Sequence, residues 1–261
     1  VWKSKKRRRR NPLQLKNAVE VGDFCRRDYI YWPLSSNKRL VFEELIRHVK
    51  GPDVLDLGCG EAGLYWSMGY VLDAGSINFY DINQSHLDGI AEQLESISPE
   101  AMEEHFQETV EYLRENAMVP DDVTYEELAA ALVEKVDQIQ CYNFKTDEPS
   151  KSFDTVLCVE SLQVAHTQDE LEINAANVAK LLKPGGQILG ISWVYNQFND
   201  HTKHLVSLQY DGMLNPTEEN FDAAFTKVGL RKSILKTLDT PDINNYHKAV
   251  VYAYQKPEDA A

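Results

Sequence analysis

Residues 54–60 read Val-Leu-Asp-Leu-Gly-Cys-Gly, an apolar run that ends in glycines. Such a run is typical of a buried strand that leads into a tight turn. Together with Gly63, the glycines at positions 58 and 60 have the spacing GxGxxG ahead of a helical pattern. Small residues at these positions let the backbone approach a ligand closely. The stretch therefore predicts a strand, a ligand-binding loop and a helix.

Further apolar runs of strand length recur along the chain. They lie at residues 77–80, 155–159 and 187–192, with later candidates at 231–235 and 249–254. Segments of helix length separate them, and this alternation favours a parallel sheet that is covered by helices on both faces. The sequence therefore predicts an α/β fold.

A long acidic stretch at residues 84–136 separates the apolar run at 77–80 from the run at 155–159. Ser98 ahead of a proline predicts the start of one helix, and Thr124 with Glu127 predicts a capping box at the start of another. The apolar spacing of the second helix continues to Val136. Two roles are open for this helical insertion: it enlarges a crossover at the surface, or it covers the site.

An acidic residue ends the second predicted strand. Asp81 lies 21 positions beyond Gly60, and a carboxylate there can accept hydrogen bonds from both ribose hydroxyls of a nucleoside. This combination suits a dinucleotide or an adenosyl group. Asp56 and Glu61 favour the second, because their negative charge would oppose a pyrophosphate at the loop and would attract an ammonium or a sulfonium.

At four places the chain resembles the class I S-adenosylmethionine-dependent methyltransferases. The residues that carry the resemblance are 54–60, 80–83 (Tyr-Asp-Ile-Asn), 152–156 (Ser-Phe-Asp-Thr-Val) and 181–187 (Leu-Leu-Lys-Pro-Gly-Gly-Gln). The match covers residues 38–192 and continues to 256. It implies a Rossmann-like, doubly wound sheet of about seven strands with the last strand antiparallel. It also implies S-adenosylmethionine as the cofactor and S-adenosylhomocysteine as the product.

Carried over by position, the resemblance assigns most of the cofactor contacts. Asp56, Gly58 and Gly60 would hold the methionine end. Asp81 would bind the ribose, and Ile82 would lie against the adenine. The cofactor would then lie across the carboxyl ends of the first four strands.

The contact to the adenine amine is expected from residues 141–144. Asn143 is the first choice and Tyr142 the alternative, because the aspartate that the family usually carries is missing there. The complete set of expected cofactor-binding residues is Tyr29, Asp56, Gly58, Cys59, Gly60, Asp81, Ile82, Tyr142, Asn143, Phe144 and Val159.

The segment before the first helix is dense in aromatic residues. Residues 26–33 resemble a segment of the small-molecule amine N-methyltransferases of the nicotinamide, phenylethanolamine and indolethylamine type, which folds over cofactor and substrate. The resemblance implies that Tyr29 contacts both ligands, and Tyr31 and Trp32 are expected at the substrate. Aromatic faces also attract a sulfonium or an ammonium through cation–π interactions. Alternatively, these rings attach the amino-terminal tail to the body of the protein.

The loop after the run at 155–159, which corresponds to the fourth strand of the family, departs from the amine methyltransferases. Those proteins carry an acid nine positions beyond the aspartate that begins the strand, whereas here the ninth position after Asp154 is Gln163. A glutamine forms hydrogen bonds but does not balance a cationic amine. Glu160 is a candidate replacement at the substrate, and His166 is a candidate general base. The expected catalytic residues are therefore Tyr29, Gln163 and His166.

Aromatic residues also follow the run at 187–192. Trp193 and Tyr195 suit a pocket for a planar substrate, or equally a core beneath the next helix. His201 and His204 are three positions apart, but no third residue with suitable spacing accompanies them, so we expect no metal site.

Charge is distributed unevenly along the 261 residues. The first ten residues carry seven Lys or Arg and no acid, whereas the rest of the chain carries 20 basic and 41 acidic residues. So negative a body repels nucleic acid, and binding of nucleic acid would depend on the basic arm. We therefore expect a small-molecule substrate.

The remaining patterns concern organisation and location. We expect a disordered basic arm at residues 1–12, a cap at 13–37, a methyltransferase domain at 38–256 and a tail at 257–261. No apolar run reaches the roughly 18 to 20 residues of a membrane span, and none follows the basic arm. The four cysteines show no CxxC spacing and are expected to be reduced. These features favour a cytoplasmic protein, with the nucleus open if the arm is a targeting signal.

The sequence as a whole predicts an enzyme that transfers a methyl group from S-adenosylmethionine to a small molecule, preferably to nitrogen. Transfer to oxygen is one alternative, and methylation of protein or nucleic acid through the basic arm is another. An oxidoreductase that uses a nicotinamide cofactor and a binding protein without turnover are further alternatives.

Overall fold

The structure is a computed structural model that describes residues 39–60, 62–162, 164–194, 214–239 and 248–258. The strands of the described residues are β1 (Asp53–Leu57), β2 (Ser76–Asp81), β3 (Val136–Cys141), β4 (Phe153–Val159), β5 (Leu182–Trp193), β6 (Arg231–Asp239) and β7 (Lys248–Gln255). The helices are α1 (Arg39–Ile46), α2 (Gly63–Ser67), α3 (Gln84–Glu95), α4 (Pro99–Glu115), α5 (Tyr125–Lys135), α6 (Gln168–Lys180) and α7 (Glu218–Lys227).

All seven strands form one sheet in the order β3-β2-β1-β4-β5-β7-β6. Strands β1 to β5 are parallel to one another, and β7 lies antiparallel between β5 and β6. The strand order reverses at β1 and β4, and ligands of doubly wound folds bind at the carboxyl ends of the strands beside such a reversal. The predicted α/β class, the seven strands and the antiparallel last strand are confirmed.

Alternate residues of the central strands pack into two cores, one on each face of the sheet. Val54 belongs to the core beneath α1 to α5, whereas Leu55 and Leu57 belong to the core beneath α6 and α7. Each of the three side chains is at most 1% exposed. Burial on both faces explains why β1 reads as a nearly continuous apolar run.

The helical insertion begins at the predicted caps. The Ser98 hydroxyl accepts a hydrogen bond from the Ala101 N–H at 3.1 Å, and Thr124 and Glu127 form a capping box. Val136, however, begins β3 and is paired with β2, so the expectation that the helical pattern includes it is wrong. An apolar residue at helical spacing also suits the first position of a half-buried strand, and the backbone pairing with β2 decides between the two.

The described contacts of the insertion run along one face of the sheet. The Phe106 ring lies 4.6 Å from the Tyr65 ring of α2, and the Lys135 ammonium donates to the carbonyls of Val71 and Leu72 at 2.7 Å. These contacts fit the alternative in which the insertion enlarges a crossover.

A charged cluster joins the amino ends of the central strands. The Lys183 ammonium contacts both Asp53 and Asp154, and lies 3.0 Å from the Asp154 carboxylate. The same carboxylate accepts the Asp53 N–H at 2.9 Å. Hydrogen bonds from Lys183 and then Ser76 lower the pKa of Asp53. Lysine and aspartates therefore stabilise one another at this edge of the sheet.

Two further observations concern the described residues as a whole. No helix among them combines the length and the apolar character that a membrane span requires. Their cysteines are free thiols, with Cys59 and Cys158 buried and Cys141 exposed.

Candidate functional site

The loop after β1 is held between two neighbouring segments. Gly58 and Gly60 have φ values of 73° and 55°, which glycine adopts at little cost. The Gly58 N–H donates to the Tyr80 carbonyl of β2 at 2.7 Å. A Cβ atom at Gly58 would lie 2.5 Å from the Cβ atom of Ser161, in the loop after β4. The glycine therefore allows the β1 and β4 loops to touch at the strand-order reversal.

Asp81 at the end of β2 is hydrogen bonded to this loop. Its Oδ2 atom accepts the Gly60 N–H at 2.9 Å, and its Oδ1 atom accepts the Asn83 N–H at 2.7 Å. The side chain is only 9% exposed. The structure thus brings together the two residues that the sequence places 21 positions apart.

Asp56 is a buried acid without a hydrogen-bond partner. It is 1% exposed, and neither carboxylate oxygen accepts a hydrogen bond from the described residues. Burial, followed by the negative charge of Asp81, raises the pKa of Asp56 to about 8. An unpaired acid in an apolar interior is destabilising, so its presence at this loop points to a function.

Further ionisable groups are buried beside these two acids. Burial, and then the charge of Asp56, raises the pKa values of the Cys59 thiol and the Tyr70 hydroxyl. The His86 Nδ1 atom lies 3.4 Å from Asp81 Oδ1, without the geometry of a hydrogen bond. The sequence analysis missed Tyr70 and His86. His86 lies on the inward face of α3 with Ile90, four residues later, and this spacing could have indicated it.

At the adenine end of the expected site, Ile82 is a large apolar side chain that is 66% exposed. The Asn143 side-chain oxygen accepts the Lys145 N–H at 3.0 Å within a local turn, and Phe144 is half-buried. Tyr142 is 4% exposed, its ring lies 5.3 Å from the Tyr80 ring, and its hydroxyl donates to a backbone carbonyl. The alternative choice of Tyr142 is therefore a core residue, because its ring packs against β2.

The loop after β4 has an unusual backbone conformation. Glu160 is half-buried with a φ of 57°, and its N–H donates to the Ile191 carbonyl at 3.1 Å. Val159 before it is 8% exposed. The buried Asn174 amide donates to the carbonyls of Leu162 and Val164. This loop is thus anchored to both β5 and α6.

The other predicted substrate residues differ in their placement. His166 is exposed, and its backbone N–H donates to the Glu170 carboxylate at 2.6 Å. Trp193 is 1% exposed within the core beneath α1 to α5. The expectation that Trp193 lines a substrate pocket is therefore corrected, because its ring is enclosed by the core, the alternative that the sequence left open.

Several predicted residues lie outside the described part of the chain: Tyr29, Tyr31, Trp32, Glu61, Gln163, Tyr195, His201 and His204. Within the described ranges, no group of three or more His, Cys, Asp or Glu side chains is arranged to hold a metal ion.

Comparison with known proteins links this geometry to a fold. No protein-family model and no curated protein matches the sequence. Among solved structures, the N-methyltransferase NodS from Bradyrhizobium japonicum in complex with S-adenosylhomocysteine is similar, with 12% identity over 92% of this chain and 98% of NodS, at a TM-score of 0.57.

Two other structures give comparable values. A S-adenosylmethionine-dependent methyltransferase from Clostridium acetobutylicum has 13% identity over 92% of this chain and 100% of its own, at a TM-score of 0.54. Magnesium protoporphyrin IX methyltransferase (ChlM) from Synechocystis with bound S-adenosylmethionine has 10% identity over 90% of this chain and 91% of its own, at 0.53. The strand order, the glycine loop beside Asp81 and these similarities together give the chain the fold of the class I S-adenosylmethionine-dependent methyltransferases.

Proposed function

We propose that this chain is an enzyme that binds S-adenosylmethionine and transfers its methyl group to a small molecule, preferably to a nitrogen atom. The observation that carries the proposal is the pair of buried acids, Asp56 and Asp81, beside a glycine loop at the carboxyl ends of β1 and β2. NodS in complex with S-adenosylhomocysteine and ChlM with bound S-adenosylmethionine support it through the shared fold.

The chemistry of Asp56 suits a cationic ligand. A nearby ammonium or sulfonium would favour the ionised form of an acid whose pKa burial raises to about 8. A dinucleotide would instead bring a pyrophosphate to the same loop and add to the negative charge. We therefore favour an adenosyl sulfonium over a nicotinamide cofactor.

The chemistry of Asp81 and Ile82 suits the adenosine part. Each carboxylate oxygen of Asp81 accepts one backbone N–H, so each keeps a lone pair that can accept a ribose hydroxyl. The exposed Ile82 side chain would be covered by the face of the adenine. Asn143 remains the proposed contact to the adenine amine, through its side-chain oxygen, which accepts one N–H in the local turn and keeps a second lone pair.

Bound S-adenosylmethionine supplies a methyl group on a sulfonium sulfur, which is a good leaving group. The protein then has to align the acceptor and to exclude water. An amine attacks only when unprotonated, and its nitrogen loses a proton as the nitrogen–carbon bond forms and the carbon–sulfur bond breaks. We place Glu160 beside the acceptor, because a strained φ at the carboxyl end of a central strand is typical of functional sites.

The other substrate residues are proposed from the sequence resemblance. His166 would accept the proton, directly or through water, and its exposed position would let it pass that proton to solvent. Tyr29, Tyr31, Trp32, Gln163 and Tyr195 are kept as proposed contacts to the cofactor or the substrate.

The cofactor assignment is tested by calorimetric titration of the full chain. We expect S-adenosylhomocysteine to bind and NADH not to bind, because the loop carries negative charge. Binding of NADH alone would overturn the assignment and favour an oxidoreductase.

The ribose assignment is tested by Asp81→Ala. Loss of a carboxylate that binds two hydroxyls should raise the dissociation constant of S-adenosylhomocysteine by about tenfold or more. Asp121→Ala removes an exposed acid and serves as the matched control with an unchanged constant. An unchanged constant for Asp81→Ala would contradict the assignment.

The acceptor is identified with a labelled methyl donor and a metabolite extract, followed by mass spectrometry of the products. We expect a labelled small molecule, preferably an amine. Label on an alcohol or a phenol would favour transfer to oxygen. Label on protein or nucleic acid that disappears when residues 1–12 are deleted would favour the alternative that uses the basic arm.

A further inference from the structure

His86 is a buried imidazole that the proposed reaction does not use. It lies in the first turn of α3 with its side chain 6% exposed, and Leu87 and Ile90 of the same helix are buried as well. Neither ring nitrogen has a hydrogen-bond partner among the described residues. Buried polar groups are nearly always hydrogen bonded, so this side chain calls for an explanation.

His86 is in ion-pair contact with the Asp81 carboxylate, with 3.4 Å between Nδ1 and Oδ1. The hydrogen bonds that Asp81 accepts come from the backbone N–H groups of Gly60 and Asn83, which carry no net charge. Within the described ranges, His86 is the one side chain in ion-pair contact with this carboxylate. It is therefore the group that can respond to the charge and the orientation of Asp81.

A second acid is buried beside this pair. Asp56 is 1% exposed, and its raised pKa reflects burial first and then the charge of Asp81. Burial first, and then the charges of Asp56 and Asp81, also raise the pKa of the Cys59 thiol. No lysine or arginine of the described residues forms an ion pair with Asp56 or Asp81, so an imidazole N–H beside Asp81 adds to the two backbone N–H groups that offset the charge of this carboxylate.

We propose that His86 is a positioning residue for the cofactor: its Nδ1–H lies beside Asp81 Oδ1 and attracts the carboxylate without hydrogen-bond geometry, which holds it in place and leaves one lone pair on each oxygen for a ribose hydroxyl. The proposal rests on the proposed function, because it takes Asp81 as the ribose-binding residue. It requires a donor at the place of Nδ1. An asparagine amide supplies a donor close to that place, whereas leucine fills a similar volume without one.

The test is a double-mutant cycle with S-adenosylhomocysteine in the calorimeter. His86→Leu should weaken binding about tenfold, because the carboxylate loses the N–H that attracts it, whereas His86→Asn should stay within about twofold of the unsubstituted protein. In the Asp81→Asn background, His86→Leu should weaken binding by less than about twofold, because the carboxylate that it positions is gone.

The outcomes separate positioning from packing. An equal loss for His86→Leu in both backgrounds, or an equal loss for leucine and asparagine, would overturn the proposal and make His86 a packing residue. Circular dichroism of each variant identifies any that fails to fold, and the proposal is then judged on His86→Asn.

A second measurement is independent of the cofactor. Nitrogen NMR of the imidazole in the ligand-free chain should show a proton on Nδ1, and the Nδ1 resonance should shift in Asp81→Asn. An Nδ1 atom without a proton would overturn the pairing. If the pairing is present but S-adenosylhomocysteine does not bind the unsubstituted protein, the proposed function fails and the His86–Asp81 contact stands.

Discussion

Both ends of β1 carry an aspartate, but the pKa values of these two aspartates are shifted in opposite directions. At the amino end, Asp53 and Asp154 share the ammonium of Lys183, and hydrogen bonds from Lys183 and Ser76 lower the pKa of Asp53. At the carboxyl end, Asp56 has no partner in the described part of the chain, and burial raises its pKa to about 8.

This difference distinguishes acids that stabilise the fold from acids that can bind a ligand. Asp53 and Asp56 are three positions apart on one strand, yet the fold supplies a cation to the first and none to the second. Burying Asp56 without a partner destabilises the protein, and a bound cation can remove this destabilisation by pairing with the carboxylate. The comparison predicts opposite effects of matched substitutions at the two ends.

The largest effects are expected at the glycines that flank β1. Gly51 and Gly58 have φ values of 76° and 73°. A Cβ atom at Gly51 would lie 2.4 Å from the Cβ atom of Asp154 in β4, and one at Gly58 would lie 2.5 Å from that of Ser161 in the loop after β4. Alanine at either position should lower the free energy of unfolding by about 3 kcal/mol, from the left-handed conformation and the overlap together. Urea denaturation measures this loss.

Gly60→Ala is the matched control for that measurement. Gly60 has a φ of 55° but no atom within 4 Å of its Cβ position, so alanine should cost only about 1 kcal/mol. Of the folded variants, Gly58→Ala should lose affinity for S-adenosylhomocysteine and Gly51→Ala should keep it. Equal costs at Gly58 and Gly60 would show that the close approach to Ser161 is absent.

The next effect is a pH dependence of opposite sign at the two aspartates. Since the pKa of Asp56 rises to about 8 on folding, the folded state binds a proton that the unfolded state has released between about pH 4 and 8. Stability from this group therefore falls as the pH rises through that window. Asp56→Asn should flatten the curve and be more stable than the unsubstituted protein at pH 8.

Asp53→Asn should behave in the opposite way. The lowered pKa of Asp53 contributes stability that is present above its ordinary pKa and is lost as the pH falls below it. The variant should lose about 1 kcal/mol at pH 7, and the loss should shrink toward pH 4. Thermal unfolding across this pH range measures both variants, and losses of the same sign at pH 8 would contradict the comparison.

The smallest effect is expected for Lys183→Met. Its ammonium is shared by two half-buried aspartates, so its removal should cost about 1 kcal/mol and leave the affinity for S-adenosylhomocysteine unchanged. Lys180→Met is the control, because that lysine pairs at 3.4 Å with a glutamate side chain that is 82% exposed, and it should cost almost nothing. A change in cofactor affinity for Lys183→Met would mean that the two ends of β1 are coupled.

The contact between Gly60 and Asp81 could be predicted from the sequence. Both residues directly follow the apolar runs of adjacent parallel strands, whose carboxyl ends meet at one edge of the sheet. Helix starts at Ser98 and Thr124 could be predicted for a similar reason, because capping depends on residues a few positions apart. Signals of this kind are local or follow from the topology of the class.

Other features depended on packing that no short pattern contains. Val136 continues a helical spacing, but pairing with β2 makes it the first residue of β3. Trp193 suited a pocket and a core equally, and the core encloses it. His86 reads as one polar residue on a mostly polar helix, and its burial beside Asp81 arises only when α3 packs on the sheet.

The sequence by itself determined the strands other than β3, the glycine loop and the acid at the end of the second strand, because apolar periodicity and turn residues act over short distances. The tertiary structure decided which acids find a cation. That outcome depends on side chains far apart in the chain, such as Lys183, which lies 130 positions after Asp53. Only the folded sheet brings such partners to one end of β1 and leaves the other end for a ligand.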